Sequence, residues 1–150
     1  MRLFLGLICL AMMFCLGACT TTTSGSDAYG GYKGKGGMTV KKIKPEVYAY
    51  HYDYGFTGPD AMGWDPNLQY AWSRTGAAQA CKVPVNEDKV LTKMVAVYGH
   101  DKEFTHKING VTFHRAHAAM LGPDFCTPER VEELKTVIPQ FEAGNFPKKF

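Results

Sequence analysis

The hydrophobic residues form one continuous apolar run near the start of the chain and shorter, periodic groups farther along it. Residues 3–14 are continuously apolar, whereas after residue 65 the apolar residues recur at spacings of three and four. Such spacings place side chains on one face of an α-helix. The periodic part of the chain therefore predicts a mainly α domain.

Cap residues strengthen the prediction of three helices. Each apolar repeat follows a residue whose side chain can accept hydrogen bonds from a first helical turn. These residues are Asp65, Asn86 and Thr127. We expect the first helix to reach Cys81, the second to end at Gly99 and the third to stop before Pro139, because glycine and proline commonly end helices.

A tyrosine-rich segment precedes these helices. Residues 47–54 alternate strictly between tyrosine and other residues. A period of two predicts an extended strand with the tyrosines on one face, and aromatic faces are enriched at protein interfaces. The predicted partner-binding residues are Tyr48, Tyr50, Tyr52, Tyr54, Phe56 and Trp64. The alternative, that the tyrosines fill the core of this domain, stays open.

Residues 103–115 are compatible with two structures. Asn109-Gly110 between apolar residues is typical of a two-residue hairpin turn, whereas the apolar residues of the segment also recur at helical spacing. We favour a helix because the neighbouring segments are predicted to be helical. The fold prediction is a mainly α, disulfide-linked domain with an N-terminal aromatic strand; the alternative is an α+β domain with a hairpin at 103–115.

The start of the chain has the three parts of a secretory signal. Arg2 is basic, the apolar run follows, and small residues close it. The run is shorter than the roughly 20 residues that a membrane-spanning helix needs. It ends in Leu16-Gly17-Ala18-Cys19, which resembles the lipobox of bacterial lipoprotein precursors. The resemblance implies cleavage before Cys19, a lipid on its sulfur and an acylated new N-terminus carrying palmitate-like chains.

The resemblance also implies a location and a domain plan. Thr20 follows the lipidated cysteine where an aspartate would retain the protein in the inner membrane, so the family pattern implies the outer membrane, facing the periplasm. We predict a signal peptide over 1–18, a lipidated Gly-, Thr- and Lys-rich tether over 19–45 and one globular domain over 46–150. Residues 20–37 are of low complexity and are expected to be a disordered tether.

Cysteine usage agrees with export. Cleavage of the signal and lipidation of Cys19 leave two thiols, those of Cys81 and Cys126. A pair of cysteines in an oxidising compartment predicts a disulfide. Closing a loop of this length stabilises a domain by about 4 kcal/mol on the chain-entropy model.

Charge does little to narrow the function. The chain carries 17 basic and 14 acidic residues, which does not argue for nucleic-acid binding. The lysines are unevenly placed, with five in residues 33–44; these are Lys33, Lys35, Lys41, Lys42 and Lys44. They could lie against anionic headgroups or belong to a solvated tether.

One group of residues suggests a metal site. His114, His117 and Met120 recur at helical spacing, and imidazole with thioether suits copper. The alternative is that both imidazoles are structural. His51 with Asp53, and His100 with Asp101, could each orient an imidazole, but no nucleophile accompanies them.

These observations predict a non-catalytic, lipid-anchored binding or scaffold protein, an accessory subunit or assembly factor of a cell-envelope complex. Its expected partners are the membrane, through the anchor, and another envelope protein. No cofactor is expected beyond the lipid. The alternatives are a periplasmic copper-binding protein and a small envelope hydrolase.

Overall fold

The computed structural model describes residues 29–37, 43–61, 63–99 and 102–150, with only the backbone described for 102–109. Within these residues the chain forms five α-helices and no strand. The helices are α1 (Pro45–Tyr54), α2 (Pro66–Ala80), α3 (Glu87–Tyr98), α4 (Lys102–Met120) and α5 (Pro128–Ala143), with short 3-10 turns at Gly58–Ala61 and Pro123–Phe125. The predicted mainly α fold is confirmed, and residues 103–115 belong to a helix. None of these five helices has both the length and the hydropathy required to cross a bilayer.

Helix α2 is the centre of the domain. Every residue from 68 to 78 is buried. Helix α4 crosses α2 at close distance because each helix has a glycine at the point of contact. A Cβ atom at Gly76 would lie 2.5 Å from the backbone nitrogen of Arg115, and one at Gly110 would lie 2.5 Å from the ring of Trp72. Helices α1, α3 and α5 complete the core around this pair.

The predicted caps begin their helices as expected. Asp65 accepts hydrogen bonds from the amides of Asn67 and Leu68, Asn86 from that of Lys89, and Thr127 from that of Arg130. The predicted end of the last helix is wrong. Pro139 lies inside α5, which continues to Ala143. Its ring faces solvent, and the next turn is held by the buried Phe141.

The predicted disulfide is present. Cys81 caps the end of α2, and Cys126 lies just before α5, with 5.4 Å between their Cα atoms. The bond therefore joins the end of one core helix to the start of another, across the segment that contains α3 and α4.

The predicted N-terminal strand is wrong, because residues 47–54 lie within α1. Pro45 occupies the first turn and Gly55 ends the helix, both in positions that suit a helix. A strict alternation also places residues four apart on one helical face. The tyrosines consequently divide into two pairs: Tyr48 and Tyr52 face the core, and Tyr50 and Tyr54 face outward.

A buried arginine connects three parts of the domain. The Arg74 guanidinium, 3.8 Å from the centre of the Tyr52 ring, donates to the Tyr52 carbonyl at 2.6 Å and to the Glu133 carboxylate. Burial opposes the ionisation of Glu133, but Arg74 and then Lys149 lower the pKa of this carboxyl group below its ordinary value. The contact therefore fixes α1 and α5 to α2.

Residues 29–37, assigned from the sequence to the tether, lie against α1. The predicted signal peptide and Cys19 lie outside the described residues, so their assignment stays a prediction. One glycine of this segment has a packing role. Gly34, at φ +76°, lets the backbone approach the Tyr50 ring, which a Cβ atom at this position would meet at 2.7 Å. Glycine here permits close packing as well as flexibility.

Candidate functional site

The outward side of α1 and residues 29–37, which we call the N-terminal segment, form a cluster of tyrosines at the surface, of which Tyr54 is exposed and the others are half-buried. We call Tyr29, Tyr50 and Tyr54 the tyrosine patch. Their ring centres are 5.4 Å apart for Tyr29 and Tyr50, 5.8 Å for Tyr29 and Tyr54, and 4.7 Å for Tyr50 and Tyr54. Tyr54 is 55% exposed. Each ring offers an apolar face with a polar hydroxyl, a combination suited to wet interfaces.

The remaining residues of the predicted partner surface are elsewhere. Tyr48, Tyr52 and Phe56 are at most 1% exposed and belong to the core, so their assignment to a partner surface is wrong. Helix α1 turns Tyr48 and Tyr52 inward onto α4 and α2, and Phe56, just beyond the end of the helix, packs against His114. Trp64 is half-buried and its ring contacts Trp72 at 5.8 Å. Only Tyr50 and Tyr54 of the predicted set reach the patch, and Tyr29 joins them.

A buried polar cluster lies beneath the N-terminal segment. The Tyr32 hydroxyl lies 3.0 Å from Nε2 of His51 and 3.2 Å from Oδ2 of Asp60. The same carboxylate oxygen is 3.3 Å from His51 Nε2 and accepts a hydrogen bond from the Gly36 amide at 3.1 Å. We call Tyr32, Gly36, His51 and Asp60 the His51 cluster. His51 and Asp60 are only 2% and 3% exposed.

This cluster differs from the predicted acid–base pair. Asp53 does not orient His51; its carboxylate accepts from Arg130 Nε at 3.0 Å and from the Tyr29 hydroxyl at 2.7 Å. Asp60, which the sequence reading overlooked, takes that place. Burial, and then the neighbouring Asp60 carboxylate, raise the pKa of Tyr32 to about 12, so its hydroxyl is a donor at neutral pH. The cluster holds the N-terminal segment on α1, and the polar groups of the cluster bond to one another.

A cleft of 530 Å³ opens between the segment and the start of α1. It is lined by glycine backbone and a few side chains, among them Tyr32, Lys35, Lys44 and Glu46. Lys35 and Lys44 are exposed. The cleft therefore brings two lysines and one glutamate close to Tyr32, whose ring contacts Tyr50 of the tyrosine patch at 5.2 Å.

The predicted copper ligands lie in different environments. His114 is 1% exposed with Nδ1 3.0 Å from the Tyr48 hydroxyl, whereas Met120 is 70% exposed. Nδ1 of His117 lies 2.8 Å from the Phe113 carbonyl oxygen, within hydrogen-bonding distance. Burial, then His117 and Arg74, lower the pKa of His114 to about 3. In the described part of the chain, no three His, Cys, Asp or Glu side chains are grouped to hold a metal; copper binding stays a prediction.

No known protein family, curated protein or solved structure matches this chain. The function of the chain is therefore inferred from its own residues and contacts.

Proposed function

We propose that this chain is a lipid-anchored binding or scaffold module on the periplasmic face of the bacterial outer membrane, working as an accessory part of a cell-envelope assembly. The lipobox at Leu16–Cys19 supports the anchor and the compartment. The Cys81–Cys126 disulfide supports export, because such bonds persist in oxidising compartments.

The tyrosine patch is the observation that carries the binding role. Its three rings are grouped at the surface where the N-terminal segment meets the domain. In contrast, the polar groups of His51 and Asp60 are engaged with each other and with the segment. This arrangement supports contact with another envelope component more than hydrolysis. Copper binding and hydrolysis stay alternatives that no contact among the described residues favours.

The anchor is tested by comparing the chain with its Cys19→Ser variant in a bacterial host. We expect mass spectrometry of the mature protein to find acyl chains on residue 19. The protein should be released from membranes only when detergent is added. The variant lacks the sulfur atom and should carry no acyl chain at residue 19. An unmodified thiol at Cys19 would refute the anchored location.

The contact surface is tested with a photo-crosslinking phenylalanine derivative in place of Tyr54. A matched control carries the same group in place of Val97, which is 56% exposed and lies on α3. We expect adducts with envelope components from position 54 well above those from position 97. Equal yields from the two positions would reject the tyrosine patch as the contact surface.

A further inference from the structure

The tyrosine patch lies where the chain leaves the domain toward the predicted anchor. Tyr29 belongs to the patch and is ten residues from Cys19. Ten residues reach about 35 Å when fully extended and roughly 17 Å on average for a flexible chain. Because residues 29–37 lie on α1, only ten positions separate Cys19 from the described domain, fewer than the predicted tether of 19–45 contains. An anchored domain would therefore keep this patch close to the bilayer.

The size of the patch favours a membrane over a protein as its occupant. A fully buried aromatic side chain covers about 150–250 Å², and Tyr54 is 55% exposed while Tyr29 and Tyr50 are half-buried. The three rings consequently offer at most roughly 300 Å². A stable protein interface buries about 800 Å² on each partner. A tethered surface needs far less, since a short linker gives it an effective concentration in the millimolar range.

The chemistry around the patch also suits phospholipid. Tyrosine is enriched at the headgroup level of membranes, where its ring meets acyl chains and its hydroxyl meets water. Lys33, Lys35 and Lys44 are exposed. Lys35 and Lys44 line the cleft with Glu46 and with Tyr32, whose ring contacts Tyr50 of the patch, and Lys33 follows Tyr32 in the chain. Asp53 is neutralised by its pair with Arg130. The charge next to the rings is therefore net positive, and it complements anionic headgroups.

We propose that the tyrosine patch, flanked by Lys33, Lys35 and Lys44, docks on the phospholipid surface of the membrane that carries the anchor. This proposal depends on the lipid anchor of the proposed function and names the occupant of the same surface. Docking fixes the orientation of the domain: α1 and the N-terminal segment face the bilayer.

The test uses the mature lipidated full chain in vesicles of phosphatidylethanolamine and phosphatidylglycerol that contain a nitroxide-labelled headgroup. We expect the nitroxide to broaden the ring signals of Tyr50 and Tyr54 and to leave the methyl signals of Val97 and Met120 sharp. The two control residues are exposed and lie outside the patch. Equal broadening at both sets of residues would overturn the proposal.

Lysine variants test the charge contribution. The triple variant Lys33→Gln, Lys35→Gln, Lys44→Gln should lower the ratio of domains docked on the vesicle surface to undocked domains, about fivefold for each lysine replaced. The matched control replaces three other exposed lysines: Lys82→Gln, Lys135→Gln, Lys148→Gln. Its docking should equal that of the parent chain. Equal loss in both triple variants would overturn the assignment of the docking face.

The crosslinker in place of Tyr54 separates the two proposals. Adducts with phospholipid support docking. Adducts mainly with an envelope protein overturn membrane docking and leave the binding module intact. An unmodified Cys19 removes the proposed function itself, because the domain then has no anchor.

Discussion

The two sides of α1 are attached by contacts of different kinds. On the inner side, Tyr48 and Tyr52 are fully packed, and Arg74 joins the helix to α2 and α5. On the outer side, Tyr32 and Asp60 hold the N-terminal segment through a few hydrogen bonds. Breaking the inner contacts exposes core, whereas breaking the outer ones exposes little apolar area. We infer that the inner side belongs to the global folding unit and that the outer side can open alone.

The largest expected effect is the loss of the covalent clamp on the inner side. The double variant Cys81→Ser, Cys126→Ser should lower the free energy of unfolding by about 4 kcal/mol, because the unfolded chain regains the entropy of its loop. Urea denaturation followed by far-UV circular dichroism measures it. The parent chain under reducing agent is the control and should lose a similar amount. A loss below about 1 kcal/mol would mean that the clamp contributes little.

Removing the buried guanidinium should come next. Arg74→Met should cost about 3 kcal/mol, because Glu133 then loses its main partner and the Tyr52 carbonyl loses its donor. The matched control is Lys149→Met, which removes an exposed cation from the same carboxylate and should cost less than about 1 kcal/mol. Equal losses in urea denaturation would contradict the division between buried and exposed contacts.

His114 should make the inner side sensitive to acid. Its pKa of about 3 lies below the ordinary value near 6.5, so the folded protein keeps the ring neutral while the unfolded chain takes up a proton. This contribution to stability is complete above about pH 6.5 and is lost as the pH falls toward 3. Between pH 8 and pH 5 the loss should be about 2 kcal/mol.

Comparing the parent chain with His114→Gln isolates this contribution. Urea midpoints at both pH values should differ less in the variant than in the parent. An unchanged pH dependence would show that other groups dominate the acid sensitivity. The pH dependence reports on the inner side of α1, because Tyr48 contacts His114 directly.

The smallest expected effect is on the outer side. Tyr32→Phe removes the hydroxyl that contacts Gly36, His51 and Asp60, and it should weaken the attachment of the segment by about 1 kcal/mol. Hydrogen exchange at the Gly36 amide should accelerate about fivefold, while the urea midpoint changes little. Tyr54→Phe is the control and should leave exchange at Gly36 unchanged. A large fall in the midpoint would place the segment in the global folding unit.

Part of the candidate site could be predicted from the sequence and part could not. Of the predicted surface residues, Tyr54 is exposed and Tyr50 is half-buried, whereas Tyr48, Tyr52 and Phe56 are core. An alternation of tyrosines is compatible with two structures, because it places the rings on one face of a strand or on two opposite faces of a helix. The helix is formed here because α2 and α4 provide a surface on which Tyr48 and Tyr52 are buried.

Features that depend on neighbouring residues could be read from the sequence alone. Asp65, Asn86 and Thr127 start their helices because a cap bonds to amides two or three residues away. The Cys81–Cys126 bond was predicted from the number of cysteines and the predicted oxidising compartment. Contacts between residues distant in the chain required the folded structure. Arg74 meets Glu133, and His51 meets Asp60 under Tyr32, because packing brings separate elements together. No local pattern contains that information, since burial and the cost of leaving a charge unpaired are properties of the assembled core.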